Sequence, residues 1–433
     1  MSKDSLMNKI IIRFLGCLFL CSSCSGLQVS TVGMGWSQNS VNTVIFRNQA
    51  LCSFKDHQFI AFYNGEGQMV LGSRKLGDAR WKLVVTPYFG NVKDAHNSIS
   101  MAVDVEGYLH VSWDQHDTPL RYAKSKEPFS LELGEELSMT GLYEDKVTYP
   151  EFQNLKDGSL LFLYRSGASG RGNLVMNRYN PDTGQWKQLH NNLIDGQQKR
   201  SAYWQTHVDE YGIHLSWVWR ESWDVTTNHD IAYVVSKDGG LSWQDIDGRV
   251  IDLPITMDSA PYAWKVAENN NLMNQTSMTT DAHGNPYIAS YWRSDSITQY
   301  KVVYHKDGQW QLLDTNFRDQ DFELGGGGTK SIPISRPEIL VDDSKLYLLY
   351  RDSLRGNKIT LAQYRFDMQK WDFNDLTKRS IGEWEPNFDK GLWKQHKKLH
   401  IFSQNVSQID GEGLDTNMMP QAVQVLEIDL TNE

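Results

Sequence analysis

The chain has 433 residues and a formal net charge of −10. That length can supply one large closed all-β unit, and the charge argues against a general nucleic-acid binder, which would carry a basic face. Aromatics make up 12% of the residues, with 15 Trp and 19 Tyr, a bias toward strands and toward flat faces on which sugar rings stack. A polyanionic substrate would have to be met by a local basic pocket set against the overall charge.

The first segment reads as an export signal. Lys9 and Arg13 flank and enter the apolar run from Ile10 to Leu20, and small residues follow up to Cys24. The run is short for a membrane span and suits a cleaved signal. The small residues directly before Cys24 resemble a bacterial lipobox, which makes Cys24 the expected lipidated first residue of the mature protein. Residues 1–24 are therefore assigned as a lipoprotein-type signal peptide and residues 25–433 as one domain. The chain is expected to be exported, at the cell surface or in the periplasm, and to meet the membrane only through this anchor. Cys17, Cys21 and Cys24 all fall in this segment, so Cys52 has no intramolecular disulfide partner in the rest of the chain and reads as a small buried residue.

The remainder is a repeat. A polar Gly/Asp/Lys turn is followed by an apolar strand that ends in an aromatic, at Tyr63, Trp113, Tyr164, Trp217, Tyr291, Tyr350 and Phe402. The steps between these markers are 50, 51, 53, 74, 59 and 52 residues. A period of this length, with strand-type patterning and no helical stretches, predicts an all-β, single seven-bladed β-propeller of four-stranded antiparallel blades. The long step from Trp217 to Tyr291 predicts an inserted loop between Val250 and Asn274. Ser236 to Trp243 (Ser-Lys-Asp-Gly-Gly-Leu-Ser-Trp) matches an Asp-box, the turn between the outer strands of a blade, and degenerate copies end at Trp186, Trp310 and Trp371. Such a turn speaks for fold and not for chemistry.

In a propeller the innermost strands line a central channel. His96, Tyr149, Tyr203 and Arg336 sit 14 to 17 residues before their aromatic markers, in four different blades. His116, Arg165, Arg220, Arg293 and Arg351 come just after the markers. Antiparallel inner and second strands bring both sets to one mouth of the channel. A ring of His, Tyr and Arg suits β-elimination on a uronic acid. Cations bind the carboxylate and stabilise the enolate-like charge, one group takes the C5 proton, and another gives a proton to the departing O4. Paired carboxylates of the glycosidase type are not evident, although Asp94, Asp114 and Asp117 flank the histidines.

These residues also carry a resemblance. His96-Asn97, His116 in Trp113-Asp114-Gln115-His116, Thr148-Tyr149-Pro150 and Tyr164-Arg165-Ser166-Gly167 resemble the β-propeller ulvan lyases and related BNR-4 repeat proteins over nearly the whole mature chain. The resemblance implies His96 and Tyr149 as the catalytic base and acid, in an order the sequence leaves open. It implies His116, Arg165 and Tyr203 as substrate-binding residues, to which the ring adds Arg220 and Arg336. It implies cleavage of α-L-rhamnose linked to O4 of a uronic acid, in ulvan or in rhamnose-capped arabinogalactan. Some relatives hydrolyse this linkage, with a His on the opposite face from the first blade. Here the matching stretch, Phe46 to Ala50, has Gln49 at that place. The alternatives are an α-L-rhamnosidase and a non-catalytic surface glycan-binding propeller.

The expected partner is an acidic polysaccharide, bound by a monomer. No spacing of the zinc type is found and no cofactor is required; a structural Ca²⁺ or Zn²⁺ is not readable from the sequence. Gly325–Gly328 precede Thr329-Lys330 but miss the phosphate-loop spacing and read as a mobile loop at the channel rim. His396 and His400 read as solvated strand ends.

Overall fold

The computed structural model describes residues 26–342 and 344–430; the predicted signal segment and Cys24 lie outside the described residues. Seven antiparallel sheets follow one another around a central axis. Blade 1 comprises Leu51–Phe54, His57–Tyr63, Gln68–Lys75 and Lys82–Phe89. Blades 4, 5 and 6 repeat this four-stranded meander from Ser201–Val208, Ser277–Thr280 and Glu338–Asp342 as their inner strands. Blade 7 closes the ring. Its Lys398–Ser403 and Gln421–Asp429 strands are joined on the outside by the N-terminal strand Gln28–Gly35, with Gln28 opposite Glu427. Pairing the two ends of the chain in one sheet removes the open edge between the first and last blades.

The aromatic markers fall on the second strand of blades 1 to 6 and on Lys398–Ser403 of blade 7, and all seven are fully buried. Those strands are buried along both faces: Leu109–Trp113 and Ile213–Arg220 contain no exposed position. Each blade packs against a neighbour on either side, so its central strands read as near-continuous apolar runs rather than as strict alternation. The turns entering them use an Asp side chain to accept main-chain N–H groups. Asp104 accepts from Glu106 and Tyr108, and Asp281 from His283 and Asn285. The Ser236–Trp243 segment folds as a tight hairpin. Asp238 accepts from the Leu241 and Ser242 amides, and the Trp243 ring is completely buried.

Two sequence expectations need correction. Among the described residues one α-helix is present, Lys390–His396, capped by the Asp389 carboxylate on the Leu392 amide, and His396 is its last residue rather than a strand end. His400 is buried rather than solvated. It faces Gln58, Arg74 and Glu427, and burial, reinforced by Arg74, brings it down to about 4. Cys52 is a buried free thiol.

Three blades depart from the four-stranded plan, blade 7 with the three strands given above and blades 2 and 3 as follows. Blade 2 keeps Ile99–Val103, Leu109–Trp113 and Tyr122–Lys124, with its outer strand reduced to a bridge between Ser125 and Leu133. Blade 3 gains a fifth strand. His116–Thr118, from the loop after the blade 2 marker, pairs with the inner edge of Val147–Asn154. This crossing positions the site.

Candidate active site

Three local devices aim the side chains. His96 lies in a turn just before the blade 2 inner strand, where its own amide donates to the Asp94 carboxylate (2.9 Å). The blade 1 marker Tyr63 donates to the neighbouring Asn97 carbonyl (2.8 Å). Tyr149 sits in a bulge: pairing runs Thr148 to Arg165 and resumes at Glu151 to Leu163. Pro150, with no N–H, cannot join the ladder, and Tyr149 takes φ 58. A non-glycine residue in that region costs on the order of 1 kcal/mol and is characteristic of functional positions. His116 is carried in by the crossing strand, opposite Thr148, and the Asp117 amide is tied to the Thr148 hydroxyl (2.7 Å).

Together these form an aromatic stack. The His96 ring lies against His116 (4.1 Å, 18°) on one side and Phe46 (5.2 Å, 16°) on the other. Tyr149 meets Phe46 edge-on at 5.1 Å and stands 6.0 Å from His96. Asp94 bridges the two imidazoles, at 2.9 Å from His96 Nδ1 and 2.6 Å from His116 Nδ1. Both rings are thereby oriented, with Nε2 directed away from the carboxylate. A second carboxylate, Glu412, comes within 3.3 Å of His96 Nδ1, and the Thr329 hydroxyl within 3.4 Å.

Charge is divided unequally. Burial works against a charged His96, but hydrogen bonds to Asp94 and Glu412 outweigh it and raise the imidazole to about 9. His116 moves the other way, lowered by burial and by the positive charges of His96 and Arg165 despite its bond to Asp94. Burial also opposes the Asp94 charge, yet the two histidines hold its carboxyl far below the usual range.

The phenols are divided as well. Tyr149 is buried and pushed well above its ordinary value, with Tyr203 adding to the effect. Tyr203, 5.8 Å away, lies under two guanidinium groups, Arg220 at 5.5 Å and Arg165 at 5.9 Å. Against its burial, these bring it down to about 8. Arg165 Nη1 also donates to the Tyr203 hydroxyl (3.4 Å), which Ser169 meets at 3.0 Å.

The predicted residues are thus gathered, with differences in role. His96, His116, Tyr149, Tyr203, Arg165 and Arg220 share one chamber. Arg336 lies beneath it, held by both oxygens of the buried Glu385 and by the Asn274 carbonyl, with its guanidinium 5.5 Å from the Phe46 ring. Arg293 and Arg351 are outside the cluster. Arg293 pairs with Asp321 (2.7 Å) and Glu323 (3.1 Å). Arg351 is engaged by Glu383 and by the Trp384 and Ile332 carbonyls. Sequence reasoning missed Phe46, Thr329 and Glu412, which arrive from distant loops with no motif of their own. It noted Asp94 without its bridging position. Asp94, His96 and His116 hold ligand atoms within 4.8 Å of one another, a set able to take a divalent ion.

The model of the BNR repeat-containing family matches residues 57–318, more than half of the chain. The chain belongs to the BNR repeat-containing family. The chain is 23% identical over 269 residues to an ulvan lyase of Alteromonas sp. (strain LOR), covering 54% of each chain. It is 23% identical over 234 residues to the ulvan lyase PL25 of Pseudoalteromonas sp. (strain PLSV), covering 46% of this chain and 47% of that one. To the long-isoform ulvan lyase of the same strain it is 27% identical over 187 residues, covering 32% of this chain and 19% of that one. The chain thus spans between a fifth and about half of the length of these relatives.

Among solved structures, polysaccharide lyase Uly1 superposes with a TM-score of 0.67 at 15% identity, covering 90% of this chain and 91% of that one. A PL25 ulvan lyase bound to a GlcA(1-4)Rha3S fragment superposes with a TM-score of 0.67 at 13% identity, covering 92% and 94%. At these identities the likeness establishes the shared propeller fold.

Proposed function

We propose that this BNR repeat protein is a polysaccharide lyase that cleaves the α-L-rhamnose-(1→4)-uronic acid bond by β-elimination. The observation that carries the reading is the chamber itself: an imidazole held by two carboxylates and a buried phenol stand 6.0 Å apart, with Arg165 and Arg220 over the tyrosine rings. His96, made strongly basic by two carboxylates, takes the C5 proton in its neutral form. The electron pair left on C5 forms the C4–C5 double bond as the C4–O4 bond breaks. Tyr149, kept protonated by burial, gives its proton to O4 of the departing rhamnose. Arg165, Arg220, Tyr203 and His116 are placed for the uronate carboxylate, whose charge grows toward the enolate-like transition state. No step in this scheme requires a metal ion. With residues 1–24 as an export signal and Cys24 lipidated, the enzyme would act on extracellular glycan at the cell envelope.

The ulvan lyase relatives favour ulvan as the first polymer to try, with rhamnose-capped arabinogalactan second. Hydrolysis at the opposite mouth has less support, because Gln49 stands there with its amide on the Phe152 carbonyl, and an amide does not exchange protons.

The test is ultraviolet absorbance while residues 25–433 act on ulvan and on gum arabic. Elimination leaves a double bond conjugated to the carboxylate, which hydrolysis and binding do not. A rise with either polymer, abolished in Tyr149→Phe, is the expected result. Free rhamnose without that absorbance would make the protein a hydrolase. Tight retention on the polymer without either signal would make it a binding protein.

A further inference from the structure

Trp223 is the one exposed tryptophan among the described residues, with 66% of its surface open. The others are buried or half-buried in and between blades. An indole is a large apolar surface to leave in water, and its position is not incidental. It comes three residues after Arg220, whose guanidinium donates to the carbonyls of Ser222 (3.0 Å) and Trp223. The same cation that lies over Tyr203 therefore fixes the main chain that presents the indole.

The ring rests on the four-glycine run that sequence reasoning assigned to a mobile rim loop. A Cβ at Gly327 would come within 2.8 Å of the indole, so the loop can back the ring only because that position lacks a side chain. Two further hydrogen bonds lock the pair of loops. The Gly326 amide donates to Asp224 (3.0 Å), and the Val225 amide donates to the Gly326 carbonyl (2.9 Å). The loop then continues to Thr329, whose hydroxyl is 3.4 Å from His96 and whose amide donates to Glu412 (3.0 Å). Two residues of chain span at most ~7 Å. The indole and the catalytic imidazole thus sit on one short stretch of rim, close enough for one glycan chain to touch both.

We propose that Trp223 is a stacking platform for a sugar ring next to the one undergoing elimination, and that it selects for an oligosaccharide over a single terminal pair. This rests on the lyase reading above. The arginines take the carboxylate, whereas an uncharged indole takes the apolar C–H face of a ring. A 6-deoxyhexose, with its methyl group, offers more such surface than a uronate does.

The experiment is calorimetric binding in a Tyr149→Phe background, with ulvan tetrasaccharide and disaccharide as probes. Trp223→Ala is expected to weaken tetrasaccharide binding about tenfold and to leave the disaccharide unchanged. Gly327→Ala, which displaces the ring without removing it, is expected to do the same in a protein of unchanged melting temperature. Unchanged tetrasaccharide affinity in both variants would overturn the platform and leave the lyase reading intact. Failure of the Tyr149→Phe protein with Trp223 intact to bind either probe would overturn both.

Discussion

The two mouths of the channel are made from opposite ends of the same inner strands, yet His96 at one and His207 at the other are shifted in opposite directions. At one, His96 is raised to about 9. At the other, the end of Ser201–Val208 places His207 in a cavity of about 620 Å³, lined also by Gln49, Lys390, Trp393 and Lys394. There burial, reinforced by His214, brings His207 down to about 3. The difference is the carboxylate. Asp94 serves both His96 and His116, whereas Asp209 is engaged by His214 (3.0 Å) and by the Thr280 hydroxyl (2.6 Å), leaving His207 a hydroxyl contact at 3.2 Å. His116, bonded to Asp94 alone, is lowered as well; against burial, His96 is raised because two carboxylates, Asp94 and Glu412, bond to it.

The comparison breaks most sharply on activity. Tyr149→Phe is expected to lower kcat for elimination by ~10³-fold, while Lys394→Ala at the opposite mouth should leave it within about twofold, as measured by the rate of double-bond formation. Equal losses would mean that the wrong mouth has been assigned. Arg165→Ala is expected to lower kcat/KM by ~10²-fold through loss of charge stabilisation, read from the same assay on ulvan.

The next effect is a shift rather than a loss. His96 must be neutral to accept the proton, so kcat/KM should rise with pH toward a limb near pH 9. Glu412→Gln removes one of the two groups that raise it, so the limb should move to lower pH. A profile that stays in place would remove Glu412 from the site.

The smallest effect is on stability. His207 stays neutral in the folded chain down to about pH 3, while an unfolded histidine gains a proton near its ordinary 6.5. Its contribution is intact above that pH and is lost as pH falls through the window between the two values. His207→Gln should reduce the loss of melting temperature between neutral and acid pH. An unchanged acid slope would show that other groups govern it.

Much of this architecture is legible in one dimension. The marker aromatics report blades because each second strand must be buried on both faces, and that requirement recurs with every sheet. The ring of His96, Tyr149, Tyr203, Arg165 and Arg220 follows from the same period, since strand ends in register converge on one mouth. Tertiary structure alone decided which arginines belong to the ring. Arg293 and Arg351 occupy the predicted register, but their neighbours supply Asp321, Glu323 and Glu383 and withdraw them from the chamber. It also decided the crossing strand that stacks His116 on His96, and the arrival of Phe46, Thr329 and Glu412 from loops far away in sequence. Blade periodicity is a local demand for burial, repeated, and therefore leaves a trace in the chain. The charge on an imidazole depends on which carboxylate the closed ring brings within hydrogen-bond reach, and no short stretch of sequence records that.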